Sequence, residues 1–147
     1  MTPAIAPATW TALIAGCEAA WPREACGWLS GAGDVATDLH RAQGGDRDGF
    51  AFTDDDLGAL VAAYRRGPPP RVLYHSHPRG PATLSAADRA ALAPGGVVLH
   101  PLPHLVIAVR AGRAVAATLY RWHDGAPDVV ATATRGADDR WQAPEAS

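Results

Sequence analysis

A short apolar strand that runs straight into paired histidines constrains this chain more than any other feature. Val72-Leu73-Tyr74 leads into His75-Ser76-His77-Pro78, where Pro78 stops regular pairing. Residues two apart on a strand point to the same side, roughly 6.5–7 Å apart along the backbone, so the two imidazoles can converge on one point. A loop containing Gly80 and Pro81 then leads to Ser85, which opens a helix with Asp88 at its third position. Taken alone, Ser85-Ala86-Ala87-Asp88 is a near-match to a capping box. Joined to the strand, it brings His75, His77 and Asp88 to one place, and the capping and ligand roles of the helix start need not conflict.

That donor set suits a cation. Neutral imidazole is a zinc ligand, and a carboxylate oxygen is an accepted third one. Three protein ligands leave the fourth tetrahedral position open to water, the mark of a catalytic rather than a structural site. Zinc-bound water in such sites has a pKa near ~7. The sequence therefore predicts one zinc ion on His75, His77 and Asp88. His40, His100, His104 and His123 lack partners at ligand spacing and read as ordinary residues. His100-Pro101-Leu102-Pro103-His104 reads as an inter-strand loop, with a border of the substrate groove as its alternative. Cys26 reads as a buried thiol, with a thiolate ligand or redox switch as the alternative.

The flanking segments predict a frame for this motif. Trp10, Leu13, Ile14, Cys17 and Trp21 follow helical spacing, giving a first helix over about 8–20 that ends before Pro22. Ala25 to Ser30 reads as a buried strand, and Val35 to Ala42 as its hairpin partner across Gly31-Ala32-Gly33. Gly44 to Gly49 is a polar loop, followed by a short extended segment at Phe50 and Phe52. Thr53-Asp54-Asp55-Asp56 caps a second helix with an apolar stripe at Leu57, Leu60, Val61 and Tyr64, ended by Gly67-Pro68-Pro69-Pro70. The third strand covers Arg71 to Ser76, and the helix opened by Ser85 ends near Pro94-Gly95. Further strands are expected over about 97–100, 104–110, 113–122 and 127–133, with Ala111-Gly112 as a hairpin turn. The sum is a single α/β (α+β) domain over residues 1–135, with a mixed or antiparallel curved sheet flanked by helices. Residues 136–147 are expected to form a frayed polar tail anchored only at Trp141.

Composition removes several function classes. A chain of 147 residues is long enough for one domain with a real core. Its net charge of −2 comes from scattered acids and bases, so there is no basic patch for nucleic acid and no polybasic or amphipathic membrane anchor. No apolar run approaches the ~20 residues of a membrane span. Leu13-Ile14-Ala15-Gly16-Cys17 looks like a lipoprotein cleavage box, but residues 1–16 hold no Lys or Arg and are interrupted by Pro3, Pro7, Thr9 and Thr11. Two cysteines make no disulfide framework, which together with the rest predicts a cytoplasmic protein. All 13 basic residues are Arg. Codon bias explains that, with selection against lysine as a modification acceptor as the alternative.

His75-Ser76-His77-Pro78, six residues, Ser85, two residues and Asp88 together resemble the signature of the JAMM (MPN-plus) zinc metalloproteases. Pro22-Arg23-Glu24-Ala25-Cys26-Gly27 resembles that family's Glu-bearing first-strand segment, and the likeness spans roughly residues 10–120. It implies the MPN, cytidine-deaminase-like fold and zinc-dependent hydrolysis of a peptide or isopeptide bond, usually at the C-terminus of a ubiquitin-like or sulfur-carrier protein. It also makes Glu24 the general base and Ser85 the hydrogen-bond donor to the developing oxyanion. Ser76, facing away between the two ligands, reads as structural. Only about ten residues separate Asp88 from Val97, so the long insertions of eukaryotic deubiquitinating relatives are absent there, and the minimal form resembles prokaryotic members.

The resemblance implies a peptidase or isopeptidase acting after a C-terminal diglycine, in deconjugation or precursor processing, with E1/E2-like conjugation proteins as further partners. A sulfur-carrier-protein peptidase releasing an amino acid or tail is the first alternative. A non-catalytic MPN scaffold is the second, against which the full set Glu24, His75, His77, Ser85 and Asp88 argues. A DNA-associated relative of the RadC type is the third, against which the lack of a basic patch argues. The substrate-binding residues stay unassigned.

Overall fold

Alternation along one strand decides which face of the sheet carries the histidines. In the computed structural model, which describes residues 4–45 and 50–142, the elements run β1 (Ala4–Ile5), α1 (Pro7–Ala20), β2 (Cys26–Ser30), β3 (Val35–Ala36), β4 (Asp38–Arg41), α2 (Asp54–Arg66), β5 (Pro70–His77), α3 (Ala86–Leu92), a 3-10 turn (Pro94–Gly96), β6 (His104–Arg110), β7 (Arg113–His123), β8 (Ala126–Arg135) and β9 (Trp141–Gln142). The main sheet has the order β4-β2-β5-β6-β7-β8-β9. Among the described residues only the β5–β6 pairing in it is parallel, and its crossover carries α3, as a parallel connection requires. The domain is thus mixed α/β with a mostly antiparallel sheet and three flanking helices.

Val72 and Tyr74 of β5 join the main core with Leu13, Ile14 and Cys17 of α1 and Leu105, Ile107 and Val109 of β6. Leu73 points the other way, into a smaller cluster with Trp28 and Leu60 of α2. His75 and His77 follow Leu73 at intervals of two and share its face. Helix α1 therefore seals one side of the sheet, and the histidines lie on the side served by α2 and α3.

Local chemistry explains the helix starts and the hairpins. Thr53 and Asp56 form a complete capping box at α2, with Asp54, Asp55 and Asp56 at its positive end and Arg65 and Arg66 in its last turn. Ser85 and Asp88 form the same box at α3. Ala111 and Gly112, with φ of 50° and 80°, make the two-residue turn between β6 and β7. Asp124-Gly125 repeats it with φ of 50° and 78°. This second turn, a strong hairpin signal in its own right, carries β7 and β8 beyond the expected 113–122 and 127–133.

Three expectations need correction. Residues 97–100 form no strand: the amides of Val97 and Leu99 bond back to Pro94 and Leu92, and Pro101 and Pro103 have no amide to offer a ladder. The predicted strand from Val35 to Ala42 divides, with Val35–Ala36 pairing to β1 and Asp38–Arg41 to β2. Residues 136–142 are not loose. Gly136 and Arg140 close a turn, β9 pairs with β8, and Trp141 packs edge-on against Trp10 at 5.1 Å. No helix among the described residues is long and apolar enough to cross a membrane.

Candidate metal centre

Three donor atoms meet where β5 ends and α3 begins. Nε2 of His75 lies 3.0 Å from Nε2 of His77. Oδ2 of Asp88 is 3.2 Å from the first nitrogen and 2.9 Å from the second. All three residues are buried, His75 completely. His77 Nδ1 faces the Pro81 carbonyl at 2.9 Å, and since a carbonyl only accepts, the ring proton sits on Nδ1. The neutral ring thus turns a bare Nε2 lone pair toward the cluster.

Burial and mutual contact pull the three groups in different directions. Burial holds His75 below the ordinary imidazole range, against the opposing pull of Asp88. Burial also acts to lower His77, but hydrogen bonding to Asp88 and Pro81, with the Asp88 and Glu24 charges, raises it overall. Burial would raise the Asp88 carboxyl, yet its contacts with the two rings and the Ser85 amide hold it far below the usual carboxylate range. Three donors 2.9–3.2 Å apart approach the ~3.3 Å edge of a tetrahedron with ligand distances of ~2.0–2.1 Å. The residues present fit a divalent ion.

Glu24 stands at the rim of this set. Its Oε1 is 4.0 Å from His77 Nε2, and ligand atoms of Glu24, His75 and His77 all lie within 4.8 Å of one another. It is held there by its chain neighbour: the Ala25 amide donates to Ser76 Oγ at 2.8 Å, and the Ser76 amide donates to the Ala25 carbonyl at 2.8 Å. Ser76 thus pins the Glu24 segment to the strand that carries both histidines. Gly45 presses on the same segment so closely that a Cβ there would meet the Glu24 carbonyl at 2.1 Å.

Ser85 is exposed on an open cleft lined by Glu24, His77, Arg79, Pro81, Thr83 and Ser85 itself. Its Oγ accepts the Asp88 amide at 3.0 Å, which leaves the hydroxyl proton to donate into the cleft. Cys26 turns its S–H to the Gly44 carbonyl, and burial pushes the thiol up to about 12, so it is no thiolate at neutral pH.

Two residues that the sequence pattern does not single out lie at the centre. His104, expected to be an ordinary residue, is buried with Nε2 2.6 Å from Nδ1 of His75. Its signal was positional: in the parallel β5–β6 pairing His104 lies opposite Leu73, one step diagonally from His75. Phe50 stacks on the His75 ring with centroids 4.5 Å apart. The other histidines lie elsewhere. His100 sits by Phe52 in an apolar pocket with Leu57 and Leu99, His40 stacks on Trp28 at 4.0 Å, and His123 is exposed.

A mixed sheet with two histidines at the end of a central strand, joined by a carboxylate from the next helix start, gathers donors that could hold a metal ion. The sequence profile of the prokaryotic homologs of the JAB domain matches residues 7–123, and the chain belongs to that family. A protein of Desulfitobacterium hafniense solved in solution is 24% identical, with a TM-score of 0.64 over 86% of this chain and 88% of that one. A Salinibacter ruber protein, also solved in solution, is 23% identical, with a TM-score of 0.54 over 97% and 88%. A JAB1/MPN domain protein from Archaeoglobus fulgidus is 17% identical, with a TM-score of 0.49 over 87% and 91%. The likeness to the first two shows the fold. A search of curated proteins finds no match.

Proposed function

We propose that this domain is a cytoplasmic zinc-dependent peptidase or isopeptidase that cleaves after the C-terminal diglycine of a ubiquitin-like protein. The observation that carries this reading is the convergence of His75 Nε2, His77 Nε2 and Asp88 Oδ2 within 3.2 Å, with Glu24 beside them on an open cleft. Membership of the JAB family supports the reaction class. His75, His77 and Asp88 would hold the ion. When bound it would acidify a water and polarise the scissile carbonyl. Glu24 takes the proton of the attacking water and returns it to the leaving amine. The Ser85 hydroxyl donates to the oxygen on which negative charge develops. A diglycine tail is narrow and extended, and would thread toward the ion along the open cleft that Glu24, His77 and Pro81 line.

The test is incubation of the purified chain with diglycine-ended fusions from its own genome, both ubiquitin-like and sulfur-carrier, with wild type against Glu24→Ala and with or without chelator. Cleavage lost in both controls supports the reading. Cleavage that survives both contradicts it. Preference for a sulfur carrier bearing a single extra residue would move the assignment to release of an amino acid from that carrier.

A further inference from the structure

His104 is a buried ring at the centre that neither faces the ligand cluster nor lines the cleft. Its Nε2 meets His75 Nδ1 at 2.6 Å, and its Nδ1 is buried with no hydrogen-bond partner among the described residues. We infer that His104 is a positioning residue, whose Nε2 accepts the Nδ1 proton of His75 and so holds His75 in the tautomer that turns a bare Nε2 toward the ion. This rests on the metal-site reading above.

Two neutral rings in contact share one proton, so there are two arrangements. If His104 donates from Nε2, His75 carries its own proton on Nε2, where it points at Asp88 and blocks a cation. If His75 donates from Nδ1, its Nε2 is free to ligate, and the His104 proton lies on Nδ1. Only the second arrangement binds metal. Either way one buried His104 nitrogen has no partner among the described residues, which packing alone does not explain, because a leucine would fill the space without an orphaned polar atom.

A carboxylate or carbonyl usually serves this role behind a metal-bound histidine. Here Asp88 and Glu24 already bring two negative charges to the site, and a neutral imidazole fixes the tautomer without adding a third. The backbone that carries the ring is fixed in the sheet. His104 opens β6 opposite Leu73, and the Leu73 amide donates to the Pro103 carbonyl at 3.0 Å. Phe50 covers the His75 side of the pair.

The test compares wild type, His104→Leu and His104→Gln after removal of metal. Zinc affinity is read by competition with a chromophoric chelator, and fold by thermal unfolding of the metal-free proteins. His104→Leu should unfold at or above the wild-type temperature yet bind zinc ~10–100-fold more weakly. His104→Gln, whose amide oxygen can accept the same proton, should recover part of that loss. Long-range proton–nitrogen spectra of zinc-loaded wild type should place the protons of both His75 and His104 on Nδ1, a readout that stands even if the leucine variant fails to fold. Unchanged affinity in His104→Leu, or a proton on His104 Nε2 in the loaded protein, would overturn the inference and leave the metal site intact. A wild type that binds no zinc would overturn both.

Discussion

Asp88 Oδ2 accepts the Ser85 amide at 3.0 Å and faces His77 Nε2 at 2.9 Å, so a single oxygen closes both the helix cap and the ligand set. The start of α3 cannot shift without moving a proposed ligand.

Ser85→Ala separates the cap from the chemistry. It removes the acceptor for the Asp88 amide and should cost about 1 kcal/mol of stability in urea denaturation. Loss of the hydroxyl donor should lower kcat on a diglycine substrate by ~10²–10³-fold, with zinc content unchanged. Full kcat in this variant would confine Ser85 to the cap.

Glu24 depends on its supports as much as on its own identity. Gly45→Ala forces a methyl group toward the Glu24 carbonyl, and Ser76→Ala removes the acceptor that holds Ala25. A displacement of ~1 Å can cost ~10²-fold in rate. Both variants should therefore lose kcat while still binding one zinc ion. Equal loss of zinc would show that they disturb the ligands instead.

Asp56 makes stability depend on acid. Burial acts to raise its carboxyl, but the amides of Gln43, Thr53 and Gly44 outweigh burial and hold it below its ordinary 3.8. A carboxyl depressed in the fold contributes fully above its unfolded value of ~3.9, and that contribution drains away as pH falls through the folded value. Asp56→Asn should thus lose about 2 kcal/mol near neutral pH in urea titrations and show a flatter profile below ~pH 4. A loss that is the same at pH 7 and pH 3 would contradict this account.

Both cysteines should be inert in the folded protein. Cys17 and Cys26 are free and buried, and burial pushes each thiol up to about 12. Alkylation by iodoacetamide at pH 7.5, followed by mass spectrometry, should label neither until denaturant is added. Rapid native labelling of Cys26 would restore the thiolate reading.

Much of the site was legible because its spacing is local. His75 and His77 lie on one strand face, and Ser85 and Asp88 on one helix turn, so strand and helix periods place each pair, and the short connection between them suggests their meeting. Glu24 came from a motif likeness, because a lone acid at a strand start has no periodic signature. His104 escaped because it reaches His75 through a parallel pairing across 29 residues, which no local pattern reports. The expected strand at 97–100 failed for a related reason. Val97 to Leu99 is apolar, yet β6 already fills the place beside β5, and the segment is spent on the connection. Trp141 could be read as an anchor, but its partner Trp10 lies near the other end of the chain.

Zinc content distinguishes ligand from base most directly. Purified wild type, Asp88→Asn and Glu24→Gln, dialysed against trace zinc and analysed by elemental mass spectrometry, should hold about one, none and one ion per chain. Glu24→Gln should then be inactive although loaded. Zinc retained by Asp88→Asn, or lost from Glu24→Gln, would contradict the assignment of His75, His77 and Asp88 as the ligands with Glu24 as the base.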